Sequence, residues 1–415
     1  MPPTQTWAAG PSGSGYRSHR VGPKADGGTA RLREILERAS RPGVISFAVG
    51  LPALELLPVH ELAAAQGRVL PGLPAALQYA VSYAPLRRQI VDLMAARGVE
   101  CGPEQVFLTS GAQQGMDLLA RLLVESGDHV LLEETVYEGI QLALRGRAPR
   151  LLTVPTDPET GLQVSAVERW LEGGMRPAML YTIPDGHNPL GVSQSAGTRR
   201  RLIELARDFA FPVVEDDAYG LLYYGEAPPP PLRALDGSWA FYLGSFSKIL
   251  APALRAGWMV VPEELVPQLS VLKHAADLDT PSLSQRIISA YLEAGGLAAH
   301  LEMVRAEYRR RRDVMLGCLA AALPPSVRWT RPRSGMFIWV ELPREIDAAA
   351  LLEEAITSEG VAFSPGEVFA VGGSRHADHC LRLCFTTCPP DQIAEGIERL
   401  GRVVERALGP GGASR

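Results

Sequence analysis

Lys248 stands just past an apolar run, in the stretch Gly244, Ser245, Phe246, Ser247, Lys248, with Pro252 and Arg255 close behind. A lysine in such a place is costly to leave charged, and burial lowers its pKa toward the neutral amine that attacks a carbonyl. Ser245, Ser247 and Arg255 supply groups for an anion beside it. Upstream, Val213, Val214, Glu215, Asp216, Asp217, Ala218 and Tyr219 put carboxylates at the end of another apolar run. A carboxylate there can keep a pyridine nitrogen protonated, which makes the ring an electron sink. The segment Phe107 to Gln114 reads as a strand, a Ser110–Gly111 turn and a helix start, and free N–H groups at a helix N-terminus suit a phosphate. Asn188, between His187 and Pro189, places an amide in a turn after the run Ala178 to Thr182.

Taken singly, each feature has an ordinary explanation. A strand-end lysine can reach water with its ammonium, acidic residues are common at strand ends, many α/β turns are rich in small residues, and asparagine is a usual turn residue. The chain holds only three lysines, Lys24, Lys248 and Lys273, so chemistry that needs an amine has few candidates.

These residues need elements to position them. From about Val106 onward, short β-branched or aliphatic runs alternate with helical periods: Val106–Leu108 before Gln113–Leu123, His129–Leu132 before Tyr137–Arg145, then Ala178–Thr182, Ser195–Phe209, Pro212–Glu215 and Phe241–Ser245. That alternation predicts an α/β fold with a mostly parallel sheet covered on both faces, not an all-α bundle or a sandwich. A continuously helical pattern follows over 282–323, broken near Gly295 and Gly296. Strands and helices then mix over Met336–Leu342, Ala348–Ser358, Cys380–Phe385 and Pro390–Ala407, which predicts a second, smaller α+β unit.

Composition narrows the function classes. At 415 residues, with 46% hydrophobic and 21% charged residues, the chain is neither disordered throughout nor a disulfide scaffold. A net charge of −5 argues against nucleic acid, and the basic run Arg309–Arg312, with Arg305 one turn earlier, reads as a solvated helix face. Five scattered cysteines, an odd number, suit a reducing compartment, so a cytoplasmic location is expected. Residues 1–30 read as a flexible tail without a signal peptide, and no stretch approaches the roughly 18 apolar residues of a membrane span. His376, His379, Cys380, Cys384 and Cys388 are good ligand types, but their spacing fits no usual zinc motif and no metal is expected.

Together, and in this order, Ser110–Gly111, Asn188–Pro189, Asp216 to Tyr219 and Ser245 to Lys248 resemble the pyridoxal 5′-phosphate enzymes of fold type I. The chain is similar to class I/II aminotransferases, in the branch of the 2-aminoadipate and aromatic aminotransferases. Ile45 to Pro52, Ser334 to Trp339, Phe363 to Gly366 and Leu381 to Leu383 extend the resemblance over roughly residues 31–407. It implies an N-terminal arm with part of the small domain over 31–78, a large cofactor-binding domain over 79–290 and a small domain over 291–415.

The resemblance also implies roles. Lys248 would bond the cofactor and carry the proton of the 1,3-shift, Asp216 would pair with the pyridine nitrogen, and Tyr137 would stack on the ring. Asn188 and Tyr219 would hydrogen-bond the ring's phenolic oxygen. Ala112, Gln113, Ser245, Ser247 and Arg255 would hold the phosphate. Arg382 would clamp the substrate α-carboxylate as a planar fork, with Gly50 and Asn188 beside it. Tyr79 would reach the phosphate of a neighbouring subunit, implying a homodimer with shared sites.

Some positions depart from the pattern. Ala112 replaces a hydroxyl residue, Leu190 follows Pro189 where threonine is usual, His187 replaces glutamine, and the loop Ala80–Ala84 is short. Transamination between an L-amino acid and a 2-oxo acid is the expected reaction, with elimination, cyclisation or oxidation of an amino acid as the alternative from the same cofactor. The departures, near the expected cofactor, point to a substrate outside the aminoadipate, leucine and aromatic set, in specialised metabolism, with His187 offering a hydrogen bond or a cation to a polar side chain or else facing water. The same fold serves transcription regulators that carry an N-terminal winged-helix domain; with only about 30 residues, read as a tail, ahead of the enzyme-like region, a DNA-binding regulator is not expected. Neither a membrane nor a nucleic acid is an expected partner.

Overall fold

The computed structural model describes residues 41–71, 74–78 and 82–409, together with Ala39. The expected tail over 1–30, nearly all of the helix read over Arg31–Ser40, Tyr79, and Ala80 and Val81 of the short loop Ala80–Ala84 lie outside these residues.

Seven strands form the central sheet: β1 (Val106–Thr109), β2 (His129–Glu133), β3 (Arg150–Val154), β4 (Met179–Thr182), β5 (Val213–Asp216), β6 (Ala240–Ser245) and β7 (Gly257–Val260), in the order β1-β7-β6-β5-β4-β2-β3. The strands read as near-continuous apolar runs because both faces are covered. Val130, Leu132, Tyr181 and Val214 point to one core, while their neighbours Leu131, Leu180 and Val213 point to the other, as the two-residue period of a strand requires. Helices α1 (Ala112–Leu123) and α2 (Glu138–Arg145) serve the first face, and α3 (Ala196–Phe209), capped by the Ser195 hydroxyl on Thr198 N at 3.1 Å, serves the second.

One strand is not foreseen by the sequence pattern. β7 is antiparallel to both its neighbours, and its Gly257 pairs with Thr109 on one side and Ser245 on the other. This insertion sets the Ser110–Gly111 turn and the Ser245–Lys248 turn on either side of one residue. The remaining strands are parallel, as expected.

Helices α4 (Val266–Asp277), α5 (Ser282–Glu293) and α6 (Gly296–Ala322) lead to a second sheet of β8 (Arg328–Trp329), β9 (Phe337–Glu341), β10 (Ser364–Pro365) and β11 (Cys380–Cys384), ordered β8-β9-β11-β10. Helix α7 (Pro390–Leu408) lies along α6. Ile45–Ser46 pairs in parallel with Val361–Ala362, so the early segment is stitched to the late one. Among the described residues no helix is long and apolar enough to cross a membrane.

The arginine run on α6 is not a uniformly solvated face. Arg309 and Arg310 are exposed, but Arg311 is buried between Glu55, Glu307 and the Thr386 carbonyl, 2.8 Å from Nη1. Arg312 donates to Pro332 O at 2.9 Å, and Arg305 lies 3.9 Å over the Tyr223 ring. Arg305 thus ties the second unit to a loop of the first, while Arg311 and Arg312 hold the early segment and the second unit's own loops, because a guanidinium offers several planar donors at once.

Candidate active site

The residues singled out for chemistry converge beyond the carboxyl ends of the parallel strands, where ligands of open α/β sheets bind. Lys248 follows β6 and donates from Nζ to Gly50 O at 2.7 Å. Burial pushes its ammonium down to about 8; Arg382 and Arg255 add to that effect, while Cys384 and Asp216 oppose it. The amine is therefore available as a nucleophile or base near neutral pH. Gly50 is obligatory there, since a Cβ would lie 2.6 Å from the Phe337 ring.

Asp216 ends β5, buried, with Oδ2 accepting from Tyr181 OH at 2.6 Å. Its other oxygen, Oδ1, is sealed from solvent without a partner. Burial raises the Asp216 carboxyl to about 6, against the Tyr181 hydrogen bond. A protonated ring nitrogen is the kind of group that would satisfy Oδ1 and return the pair to its charged state. Asp217 is spoken for: it accepts from Gly220 N at 2.7 Å and Tyr242 OH at 2.9 Å and pairs with Arg97. Thus, of the two adjacent carboxylates, only Asp216 has an oxygen to offer.

Arg382, on β11, lies with its guanidinium 4.2 Å from the Phe337 ring centroid and 4.6 Å from that of Phe369. It donates to Asn188 Oδ1 and Ala48 O, both at 2.7 Å, and to Ser364 Oγ at 3.3 Å; its Nε has no partner. Held flat and desolvated between two rings, it presents a fixed fork suited to a carboxylate. Tyr219 is buried edge-on to Phe337, 5.8 Å between centroids, and burial pushes its phenol well above the usual range.

Around the expected phosphate corner, Gly111 adopts φ +78°, and a Cβ there would sit 2.9 Å from Arg255 Nη2. Arg255 Nη2 donates to Ser110 O at 3.1 Å, and Ser247 N donates to Ser245 Oγ at 3.1 Å. Ala112 opens α1 without a side-chain donor, leaving the first-turn backbone N–H groups as its contribution. The Gln113 side chain turns away from that corner toward α2. Its Nε2 donates to Gly139 O at 2.8 Å, and its Oε1 accepts from Tyr137 OH at 3.4 Å. It steadies Tyr137, whose phenol burial also raises. The bare glycine turn, the orphaned Asp216 oxygen and the lowered Lys248 amine fit a phosphorylated pyridine aldehyde.

His187 neither faces water nor offers itself to a substrate. It is buried, with Nε2 3.2 Å from Glu133 Oε2 and Nδ1 accepting from Leu190 N at 3.4 Å. Thr182 and Thr156 complete the Glu133 carboxylate at 2.5 and 3.0 Å. Among the described residues no group of three or more His, Cys, Asp or Glu is placed to hold a metal; His376 bonds Thr135 Oγ1 at 2.7 Å instead. Sequence reasoning missed Tyr181, Ser364, Phe369 and Glu138. Ser364 lies within the Phe363 to Gly366 stretch that carries part of the resemblance, but nothing in the sequence links β4, where Tyr181 sits, to the Asp216 side chain.

Residues 42–400 match the family model of aminotransferase class I and II. The chain is 41% identical to a 2-aminoadipate transaminase of Thermus thermophilus, over 91% of this chain and 94% of that protein. It is 37% identical to aromatic-amino-acid aminotransferase 1 of Thermococcus litoralis, over 91% and 92%. The crystal structure of the α-aminoadipate aminotransferase of Thermus thermophilus, complexed with N-(5′-phosphopyridoxyl)-L-leucine, superposes with a TM-score of 0.84 at 40% identity, covering 92% of this chain and 97% of that one. This chain therefore belongs to the class I and II aminotransferases: it is a pyridoxal phosphate enzyme of fold type I that transfers amino groups.

Proposed function

We propose that amino-group transfer between an L-amino acid and a 2-oxo acid is carried by Lys248, Asp216 and Arg382, with Tyr137, Asn188 and Tyr219 positioning the reacting groups. The observations that support this most are a buried, partnerless Asp216 Oδ1 and a half-buried lysine whose ammonium is pushed to about 8. Pyridoxal phosphate, when bound, supplies the electron sink for the bond broken at the substrate α-carbon. Lys248 Nζ takes and returns the α-proton, and Asp216 Oδ1 keeps the ring nitrogen protonated. Arg382 binds the α-carboxylate, while Asn188 fixes one arm of its fork. Phe337 and Phe369 exclude water from that pair, which strengthens it.

The phosphate falls to Gly111, the first-turn N–H groups of Ala112 and Gln113, and Ser245, Ser247 and Arg255. Tyr79 completes that site from a second copy, so the working form is a homodimer. We take the large domain as 79–290 and the small one as 31–78 with 291–415. A cytoplasmic location and a role in specialised metabolism go with this reading; five free thiols support the first and the departures Ala112 and Leu190 the second. A panel of amino donors and oxo-acid acceptors, read by 2-oxo acid formed and by the cofactor's absorbance, tests the reaction. Stoichiometric formation of a new amino acid from the acceptor is expected, and an oxo acid released without one would count against it.

A further inference from the structure

Glu138 is the first residue of α2, directly after Tyr137, and the transfer chemistry assigned to Lys248, Asp216 and Arg382 makes no use of it. The segment that carries it is tied to the corner around Arg382. Val136 N donates to Phe369 O at 2.9 Å, and the Phe369 ring lies against the Arg382 guanidinium. Glu138 Oε2 is sealed from solvent and has no hydrogen-bond partner. Burial raises its carboxyl, and the Arg382 cation and its own backbone N–H oppose that rise. A carboxylate in a helix's first turn gains from the helix dipole. That gain is equally open to a glutamate in water, and it does not account for a sealed oxygen left unpaired.

The consequence follows from charge. When Arg382 takes the α-carboxylate of a substrate, the positive charge that offsets the burial of Glu138 is cancelled. A desolvated carboxylate in that position must take up a proton or find a new cation. A substrate side chain ending in an ammonium or guanidinium supplies that cation, whereas an aliphatic or carboxylate side chain leaves Oε2 unpaired or repelled.

We propose that Glu138 is a specificity-determining residue, with Oε2 receiving the cationic side chain of a basic amino acid whose α-carboxylate lies on Arg382. This rests on the assignment of Arg382 as the carboxylate holder. It makes the substrate class basic and sets this chain apart from relatives named for aminoadipate or aromatic amino acids. The selectivity works both ways, because the same unpaired oxygen that attracts a cation penalises every ligand lacking one.

The test compares the holoenzyme with its Glu138→Gln and Glu138→Met variants in two arms. In the first, kcat/KM is measured for L-ornithine, L-lysine, L-leucine and L-2-aminoadipate. The wild type should favour ornithine or lysine by at least about tenfold, and Glu138→Met should reverse the order, the loss falling mainly on KM. In the second arm, α-methylornithine and α-methylleucine, which lack the α-proton and are not transaminated, are titrated against the cofactor's absorbance. α-Methylornithine should bind the variants at least about tenfold more weakly, with α-methylleucine unchanged or tighter. Equal effects on both analogues, or a wild type that favours leucine or aminoadipate, would overturn the proposal. Failure to turn over any amino acid would count against the proposed reaction, while the binding arm would still decide the role of Glu138.

Discussion

Arg382 and Asn188 lie 194 residues apart in the chain, yet Arg382 Nη1 donates to Asn188 Oδ1 at 2.7 Å. The first comes from the small second sheet and the second from the turn after β4 of the large one, so the carboxylate fork exists only when the two units are in place. Ala48 O, from the early segment, holds the other arm at 2.7 Å. Three distant stretches of sequence therefore fix one guanidinium.

Arg382→Lys should raise KM for every amino acid by about tenfold or more, with a small change in the cofactor's spectrum. A point charge replaces a planar fork and leaves Asn188 Oδ1 or Ala48 O without a donor. Steady-state kinetics beside an absorbance spectrum checks this. An unchanged KM would move the carboxylate site elsewhere.

Replacing the neighbouring aspartates should give opposite phenotypes. Asp216→Asn should keep the fold and the cofactor but lower kcat by about 100-fold or more, since Oδ1 no longer holds a ring proton. Asp217→Asn should instead lower stability, by about 3 kcal/mol, because the Arg97 guanidinium loses the closer of its two carboxylate partners and keeps only Asp185 at 3.7 Å. Rapid-mixing kinetics and thermal melts of both variants separate the two outcomes.

Cofactor capture by the cofactor-free protein should depend on pH through Lys248. The ammonium is pushed down to about 8, so the reactive amine fraction grows as pH rises through that value. Below it, the rate should climb about tenfold per pH unit, and above it the rate should level off. Lys248→Ala should capture cofactor without covalent attachment, and borohydride reduction of the wild type should label Lys248 and not Lys273, which is paired with Asp277 at 2.5 Å.

His187→Ala should destabilise the fold by about 1 to 3 kcal/mol and leave substrate preference unchanged, because it strips a partner from the buried Glu133 carboxylate. Although burial alone would raise it, the His187 charge and the hydrogen bonds from His187, Thr182 and Thr156 hold Glu133 below its ordinary range. A lowered carboxylate contributes stability that is complete above the ordinary glutamate value and is lost as pH falls through the lowered one. The gap between wild type and variant should therefore narrow in acid, as melts across pH would show.

The sequence by itself determined the architecture and the class of chemistry. Apolar runs broken by helical periods specify strands covered on both faces, and a lysine and an aspartate at the ends of such runs are legible one at a time, whereas Arg382, in the middle of its strand, is picked out only by the family resemblance. Local pattern carries no information about what a side chain meets across the fold. β7 was hidden because four residues, one of them glycine, make a weak strand signal until two neighbours pair with it. Asp217 and Asp216 are equivalent on paper, and only the positions of Arg97 and Tyr242 commit one and free the other. His187 reads as a turn residue until Glu133 is found 3.2 Å away. Glu138 reads as an ordinary first-turn glutamate until folding seals its carboxylate near Arg382. In each case the deciding quantity is desolvation or a long-range partner, and both come into being only with the tertiary structure.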